Sequence, residues 1–174
     1  MRHATLIGTM LLLALGQTIS AQMSSPAAKA DIYNPQGEKI GAATLSQVEN
    51  GVRVALDVSK LAPGTHGIHI HSVGKCDPPG FTTAGAHFNP ENKKHGLKNP
   101  AGPHAGDMQA VTVGADGTAH VQFVDTLVSL AEPAPNSLFH PNGTAIVIHA
   151  APDDQMTDPS GNSGARIACG VITK

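Results

Sequence analysis

Alternation of apolar and polar residues dominates the chain from about residue 38 onwards. In "GVRVALDVS" (51–59) every second residue is apolar, which predicts a strand with one buried and one exposed face. The buried positions of that strand are Val52, Val54, Leu56 and Val58. The Asn50-Gly51 pair just before it tolerates positive φ and predicts a hairpin turn, with "EKIGAATLSQV" as the partner strand.

The same alternation predicts further strands towards the end of the chain. "MQAVTVGADGTAHVQFVD" (108–125) contains two of them around an Asp116-Gly117 turn, and "TAIVIHA" (144–150) and "RIACGVIT" (166–173) are two more. Helical periodicity is not convincing anywhere after the N-terminal segment. The pattern therefore predicts a small all-β, antiparallel sandwich or barrel.

Two stretches rich in proline and glycine interrupt the strands, at residues 72–107 and 150–165. Loops longer than about 12–15 residues in a compact domain are usually functional or disordered. The first stretch holds His87, His95 and His104, which favours a functional loop.

Composition agrees with turn-rich β structure in a single domain. The chain has 174 residues, with 19 Gly, 13 Pro and only 14% charged residues. Its formal net charge of −2 gives no basic face for nucleic acid, so we expect no nucleic-acid partner.

The N-terminal segment has the pattern of a secretory signal. Arg2 and His3 precede the apolar run "ATLIGTMLLLALG", which is shorter than the roughly 20 residues needed to span a bilayer. We expect residues 1–21 to be a signal peptide ending at Ala21, residues 22–30 a flexible linker, and residues 31–174 the folded domain. This predicts a periplasmic or secreted protein with no membrane contact after signal removal.

Cys76 and Cys169 are the only two cysteines. In an oxidising compartment an isolated pair is most simply one disulfide. Two free buried thiols, or a thiolate metal site, are weaker alternatives, because neither cysteine has a partner at the two- to four-residue spacing of zinc motifs.

The chain has ten histidines, and they are clustered. In "HGIHIH", His69 and His71 are two residues apart on a strand, so both side chains point to one face and can hold one ion. That motif alone is weak, because exposed strand positions can repeat a polar residue by chance. With His149 it makes an all-imidazole set, which suits copper.

A second set lies within the first long loop. Three imidazoles and a carboxylate between residues 87 and 107 make a plausible tetrahedral zinc site, which would order that loop. Its members are His87, His95, His104 and Asp107. Any one of these histidines could be an ordinary surface or core residue, but such a dense group needs another explanation.

Six motifs together resemble the copper/zinc superoxide dismutase family, in family order and from about residue 29 to the end. They are "GTHGIHIHSVGKC", "AGAHFNP", "KKHG", "PHAGDM", "IVIHAAPDD" and "GNSGARIACGVI". The resemblance implies an eight-stranded antiparallel Greek-key β-barrel or sandwich with two long functional loops. It also implies dismutation of superoxide to dioxygen and hydrogen peroxide, with one copper and one zinc ion per subunit, and it leaves a homodimer open.

The resemblance also implies a role for each site residue. The implied copper ligands are His69, His71, His87 and His149, and the implied zinc ligands are His87, His95, His104 and Asp107. His87 would bridge the two ions and pass a proton to the product. Asp153 would join His69 to His95, and His66 would support the copper strand without binding metal. Arg166 would attract superoxide, and Cys76–Cys169 would be the family disulfide.

Three other functions compete with this hypothesis. A non-catalytic copper or zinc carrier on the same fold would be expected to lack His87 or Arg166, and both are present. A zinc hydrolase needs an open coordination position, whereas this zinc set has four protein ligands. A structural β-sandwich would leave the histidines unexplained. Four loop lysines could also steer superoxide towards the site, or they could be ordinary solvated residues; they are Lys75, Lys93, Lys94 and Lys98.

Overall fold

The computed structural model describes residues 27–174, where the secondary structure is almost entirely β. The described strands are β1 Ala27–Tyr33, β2 Lys39–Val48, β3 Gly51–Val58, β4 Gly64–His66, β5 Ile68–His71, β6 Val111–Val113, β7 Ala119–Asp125, β8 Ala145–His149 and β9 Arg166–Val171. One short 3-10 helix, Thr82–Ala84, lies in the first long loop. Among these described residues, no helix has the length and apolar character needed to cross a membrane. The expected signal peptide, residues 1–21, lies outside them.

Seven strands form one antiparallel sheet in the order β5-β8-β9-β1-β2-β3-β7, and β4 pairs with β6. The neighbours β3–β7, β9–β1 and β5–β8 are not consecutive in the chain, as in Greek-key folds. The all-β, antiparallel prediction is confirmed. Nine strands appear within the described range, rather than eight, because the segment 64–71 divides at Gly67. His66 thus lies on β4 in the small sheet, while Ile68 begins β5 in the large one.

The hairpin of β2 and β3 forms as expected, but its turn lies one residue earlier. Val48 pairs with Gly51, so Glu49 and Asn50 make the turn and Gly51 opens β3. The side chains of Val52, Val54, Leu56 and Val58 are all buried in the core.

The two strands predicted within residues 108–125 also form, although they belong to different sheets. β6 pairs with β4, whereas β7 pairs with β3. The backbone N–H of Gly114 donates to Thr118 O at 2.8 Å and closes the turn between them.

The expected linker, residues 22–30, is wrong at its C-terminal end, because β1 begins at Ala27. Its buried face consists of Ala28, Ala30 and Ile32, and it pairs with β2 along its length. Lys29 and Thr173 also exchange two backbone hydrogen bonds of 2.8 Å. The alternation was hard to see because alanine has a low strand propensity.

The long loops are confirmed, and the first of them is tied to the sheet by the disulfide Cys76–Cys169. Cys169 is fully buried on β9, while Cys76 lies in the loop that follows β5. The disulfide prediction is therefore correct, and the free-thiol and thiolate-metal alternatives are excluded.

Candidate metal centre

Strands β5 and β8 bring three of the candidate histidines to one end of the large sheet. β5 pairs with β8 from Ile68↔Ile148 to His71↔Ala145, which places His69 and His71 close to His149. All three side chains are buried.

The first long loop runs alongside β5 and adds its own ligands there. Isolated bridges pair His71 with His87 and His69 with Asp107. Because two loop segments lie against β5, the loop histidines face the strand histidines.

Four imidazoles form the first donor group: His69, His71, His87 and His149. One ring nitrogen from each lies within 4.8 Å of the others. The opposite nitrogens are fixed by acceptors: His69 Nε2 lies 2.7 Å from Asp153 Oδ2, His71 Nδ1 donates to Gly85 O at 2.9 Å, and His149 Nδ1 donates to Gly164 O at 3.1 Å.

The nitrogens left over are the ones a metal would use. His69 Nδ1, His71 Nε2, His87 Nε2 and His149 Nε2 are buried and have no hydrogen-bond partner. A neutral imidazole that donates through one nitrogen presents a lone pair on the other. The donor set therefore fits copper.

Burial keeps these rings in the metal-binding form. It lowers the pKa of His69 to about 4, that of His71 to about 2 and that of His149 to about 3. All three rings are therefore neutral at pH 7, and only the neutral ring can bind a metal ion.

The second donor group is arranged around one oxygen of Asp107. Asp107 Oδ1 lies 2.9 Å from Nδ1 of His87, 2.9 Å from Nδ1 of His95 and 3.4 Å from Nδ1 of His104. Ligands of a tetrahedral zinc ion with bonds of 2.0–2.1 Å are roughly 3.3 Å apart. The spacing of these donors therefore fits zinc.

The other oxygen of Asp107 fixes the carboxylate in place. Oδ2 accepts the backbone N–H groups of Gly96 at 2.7 Å and His104 at 2.9 Å. Despite burial, the hydrogen bonds from His87 and His95 hold the pKa of Asp107 well below its usual range. Asp107 is therefore ionised, and the group contains one negative charge.

His69 also approaches this second group, since its donor atom lies within 4.8 Å of those of His87, His95 and Asp107. Its Nε2 is already held by Asp153, and its free Nδ1 belongs to the first group. His104 lies beside the same group, with its Nδ1 3.4 Å from His87 Nδ1 and 3.4 Å from Asp107 Oδ1.

His87 is shared by the two groups. Its Nδ1 faces Asp107, its Nε2 is one of the partnerless nitrogens, and its ring stacks on that of His69 with centroids 3.9 Å apart. One imidazole between two donor groups is the geometry of a bridged two-metal site.

Comparison with known proteins agrees with this arrangement. Residues 39–172 match the family model described as copper/zinc superoxide dismutase. The chain belongs to the copper/zinc superoxide dismutase family. Membership supports superoxide dismutation, an oxidoreductase reaction, as its activity.

Relatives in this family come from several bacteria. The chain is 53% identical over 144 residues to superoxide dismutase (Cu-Zn) 1 of Aquifex aeolicus, covering 82% of this chain and 85% of the relative. A double mutant of a SOD-like protein from Bacillus subtilis has a TM-score of 0.81 and 40% identity, covering 82% of this chain and 95% of that one. The Cu/Zn superoxide dismutase of Brucella abortus has a TM-score of 0.70 and 28% identity, covering 85% and 100%.

Asp153 lies where the family resemblance implies, between the two dismutase donor groups. Its Oδ2 is 2.7 Å from His69 Nε2 and its Oδ1 is 3.0 Å from His95 Nε2. With Nε2 of His95 held there, its Nδ1 is buried without a hydrogen-bond partner, as the metal-facing nitrogens of the first group are. One carboxylate thus orients a ring in each group.

Arg166 and His66 both bond backbone carbonyls next to the donor groups. Arg166 donates from Nη1 to Phe81 O and from Nη2 to Gly85 O, both at 2.7 Å. Gly85 O is also the acceptor for His71. His66 Nδ1 lies 2.8 Å from His149 O, and its Nε2 lies 2.8 Å from Ala62 O, so neither nitrogen faces the donor groups.

Two histidines outside the dismutase motifs differ from each other. His120 is an exposed residue paired with Asp57, as expected for the surface. His140 is half-buried, stacks on Phe88 with centroids 5.1 Å apart and has a buried Nε2 without a partner. His140 is therefore not an ordinary surface residue, although it belongs to neither donor group.

Two loop lysines are already paired. Lys93 lies 2.7 Å from Glu91 and Lys94 lies 3.0 Å from Asp158. Paired charges contribute little to steering an anion, so these two lysines are better described as ordinary solvated loop residues.

Sequence reasoning missed the residues that join the two long loops. Gln155 Oε1 accepts the N–H of Leu97 at 3.1 Å and its Nε2 donates to Met108 O at 3.1 Å. Asp158 accepts the N–H of His95 at 2.9 Å. The only signal for these contacts was the polar character of the second loop, which is typical of any exposed loop.

Proposed function

We propose that this chain dismutates superoxide using copper held by one donor group and zinc held by the other. The observation that carries the proposal is the shared ring of His87 between four partnerless imidazole nitrogens and the Asp107 cluster. The proposed copper ligands are His69, His71, His87 and His149, and the proposed zinc ligands are His87, His95, His104 and Asp107. One ion of each kind per subunit follows from one group of each kind.

Copper, when bound, supplies the one-electron oxidation and reduction that dismutation needs. Two superoxide anions and two protons become one dioxygen and one hydrogen peroxide. His87 Nε2 is the proposed proton carrier, because it is buried among the copper donors and has no other partner. His87 Nδ1, on the opposite side of the ring, would hold zinc, which would lower the basicity of Nε2 and so ease release of its proton.

Arg166 is the proposed docking residue for superoxide. Two of its N–H groups hold Phe81 O and Gly85 O, and a guanidinium has five donors, so others stay available for an anion. Although burial lowers the pKa of Arg166, a guanidinium starts so far above neutral pH that the group stays charged. Because Gly85 O also holds His71, the docking residue and a copper ligand share one anchor.

Export is part of the proposal. A disulfide between Cys76 and Cys169 is consistent with an oxidising compartment. We infer a periplasmic or secreted enzyme, whose signal peptide would be residues 1–21. A homodimer stays a prediction from the family resemblance.

The rival function is a metal carrier without catalysis. It predicts bound copper but no turnover, whereas the shared His87 and the anchored Arg166 support turnover. The zinc hydrolase alternative has less support, because four protein donors already surround the zinc position.

The test combines metal analysis, copper EPR and a superoxide-consumption assay on the purified protein. We expect one copper, one zinc and rapid superoxide loss for the wild type. His71→Ala should lose copper and activity, while His120→Ala, at an exposed position far from the donor groups in the sheet, should keep both. A protein that binds both metals and consumes no superoxide would be a carrier.

A further inference from the structure

The second long loop, residues 150–165, is hydrogen-bonded at several points to the segment that carries the proposed zinc ligands, residues 87–107. Besides Asp153 on His95, the backbone N–H of Lys98 donates to Gln155 O at 3.1 Å, and Asn99 Nδ2 donates to Met156 O at 3.1 Å. Most of these contacts support backbone. Asp158 is different, because it also faces a proposed zinc ligand.

The carboxylate of Asp158 lies close to three residues of this segment. Its Oδ1 accepts the backbone N–H of His95 at 2.9 Å, and its Oδ2 lies 3.0 Å from Lys94 Nζ. The same Oδ1 lies 3.8 Å from His104 Nε2, the nitrogen of His104 that points away from Asp107. Asp158 and His104 line the same solvent-open cavity of about 470 Å³, together with His87, Lys93 and Lys94.

The outer nitrogen of each proposed zinc histidine, the ring nitrogen that does not face Asp107, has a different environment. His95 Nε2 is held by Asp153 at 3.0 Å, and His87 uses both nitrogens for the two donor groups. Only the outer nitrogen of His104 has neither a hydrogen bond nor a place in the other donor group; its neighbour is Asp158 at 3.8 Å. Metal-bound histidines usually donate that N–H to a carboxylate, a carbonyl or water, which makes the ring a stronger ligand.

We propose that Asp158 is the positioning carboxylate of His104, as Asp153 is for His95. This inference rests on the proposed zinc assignment. Asp153 and Asp158, five residues apart in the second long loop, would then each orient one zinc ligand. The same loop, which also contacts His69 of the copper group through Asp153, would thus stabilise the zinc position. At 3.8 Å the pair is too long for a direct hydrogen bond, so it acts through its charge and a small closing movement or a bridging water.

Charge complementarity supports this role. Asp158 accepts the N–H of His95 and pairs with Lys94, and it carries the negative charge that an exposed carboxylate has at neutral pH. A zinc ion on Nδ1 makes the Nε2–H of a histidine a better donor, and a nearby carboxylate stabilises that polarised ring. Zinc should therefore dissociate faster when the carboxylate is neutralised.

The experiment compares Asp158→Asn with Asp158→Ala in the full, zinc-loaded protein. The asparagine keeps an oxygen for the N–H of His95 and removes only the charge, while the alanine removes both. Zinc release to a chelator at pH 7 is measured, along with the visible spectrum of the protein carrying cobalt in the zinc position. Asp154→Asn is the matched control, because Asp154 lies in the same loop and its carboxylate bonds only Met156, Thr157 and Asn162.

We expect Asp158→Asn to release zinc about tenfold faster and to shift the cobalt bands, with Asp154→Asn at the wild-type rate. If only Asp158→Ala accelerates release, Asp158 merely braces the backbone of His95 and the inference fails. Equal acceleration by Asp154→Asn would also overturn it, since loop charge in general would then be the cause. A wild type that takes up no zinc would instead refute the zinc assignment itself.

Discussion

Gly161 lies directly against the carboxylate of Asp153, with no room for a side chain between them. A Cβ on Gly161 would collide with Asp153 Oδ1 and lie 2.7 Å from His95 Nε2. Gly161 also has φ +62°, a conformation that strains other residues. The glycine therefore protects the carboxylate that joins the two donor groups.

Gly161→Ala should weaken the binding of both metals, because the alanine displaces Asp153 from His69 and His95. We expect a loss of about tenfold or more in metal affinity, measured by competition with chelators. Gly37→Ala is the control, since Gly37 has a similar φ of +77° and nothing within 4 Å of its would-be Cβ. Equal losses in the two variants would show that backbone strain, and not the collision, is the cause.

Arg166→Ala should slow superoxide consumption about tenfold at low ionic strength, because it removes the cation at the docking position. Copper should stay bound, which EPR can check. Arg166→Lys keeps the charge and should keep most of the dependence of kcat/KM on salt, although it cannot hold two carbonyls in the same way. Unchanged rates for Arg166→Ala at low salt would remove Arg166 from the mechanism.

Cys76→Ser should lower the free energy of unfolding by about 4–5 kcal/mol. The disulfide closes a loop with a sequence separation of 93, and the chain-entropy model gives roughly that value. Denaturant titration of the oxidised wild type and the variant measures the difference. If the stability of the wild type is unaffected by a reductant, the disulfide is not the origin of any loss seen in the variant.

Asp125→Asn should stabilise the protein at pH 8 more than at pH 4. Burial raises the pKa of Asp125 to about 7, and its Oδ2 has no hydrogen-bond partner. In the unfolded chain the carboxyl of Asp125 has its ordinary pKa of 3.8. Between pH 3.8 and about 7 the unfolded chain therefore binds fewer protons than the folded chain, so the native state loses stability as the pH rises through that range. We expect a gain on the order of 1–3 kcal/mol at pH 8 from thermal unfolding. A gain that does not change with pH would contradict this origin.

Strands with strong patterning were predictable from the sequence, and those with weak patterning were not. The buried apolar residues of β3 alternate without interruption, and the Asn50-Gly51 pair indicated the hairpin with β2, although the turn itself lies one residue earlier. β1 escaped notice because its buried face includes two alanines. The division at Gly67 was also not predictable, since it depends on the tertiary pairing of β4 with β6 and of β5 with β8.

The donor residues could be found from the sequence because metal ligands must be particular residue types. The residues that hold the donors in place are less restricted: Gly85, Gly164 and Phe81 contribute only backbone carbonyl oxygens, which any residue can supply. Asp158 and Gln155 could have been any polar loop residues. Their contacts depend on how two loops meet in space, and a single sequence contains no record of that.

The two donor groups differ in how far apart their members lie along the chain. The proposed zinc donors lie within residues 87–107, whereas the proposed copper group is incomplete until His149 joins it from β8. Short loops close faster and at lower entropic cost than long ones. During refolding, the zinc donors should therefore gather before the copper donors, and zinc added early should be captured by chains that cannot yet hold copper. Stopped-flow refolding with each metal added at timed delays would reveal this order.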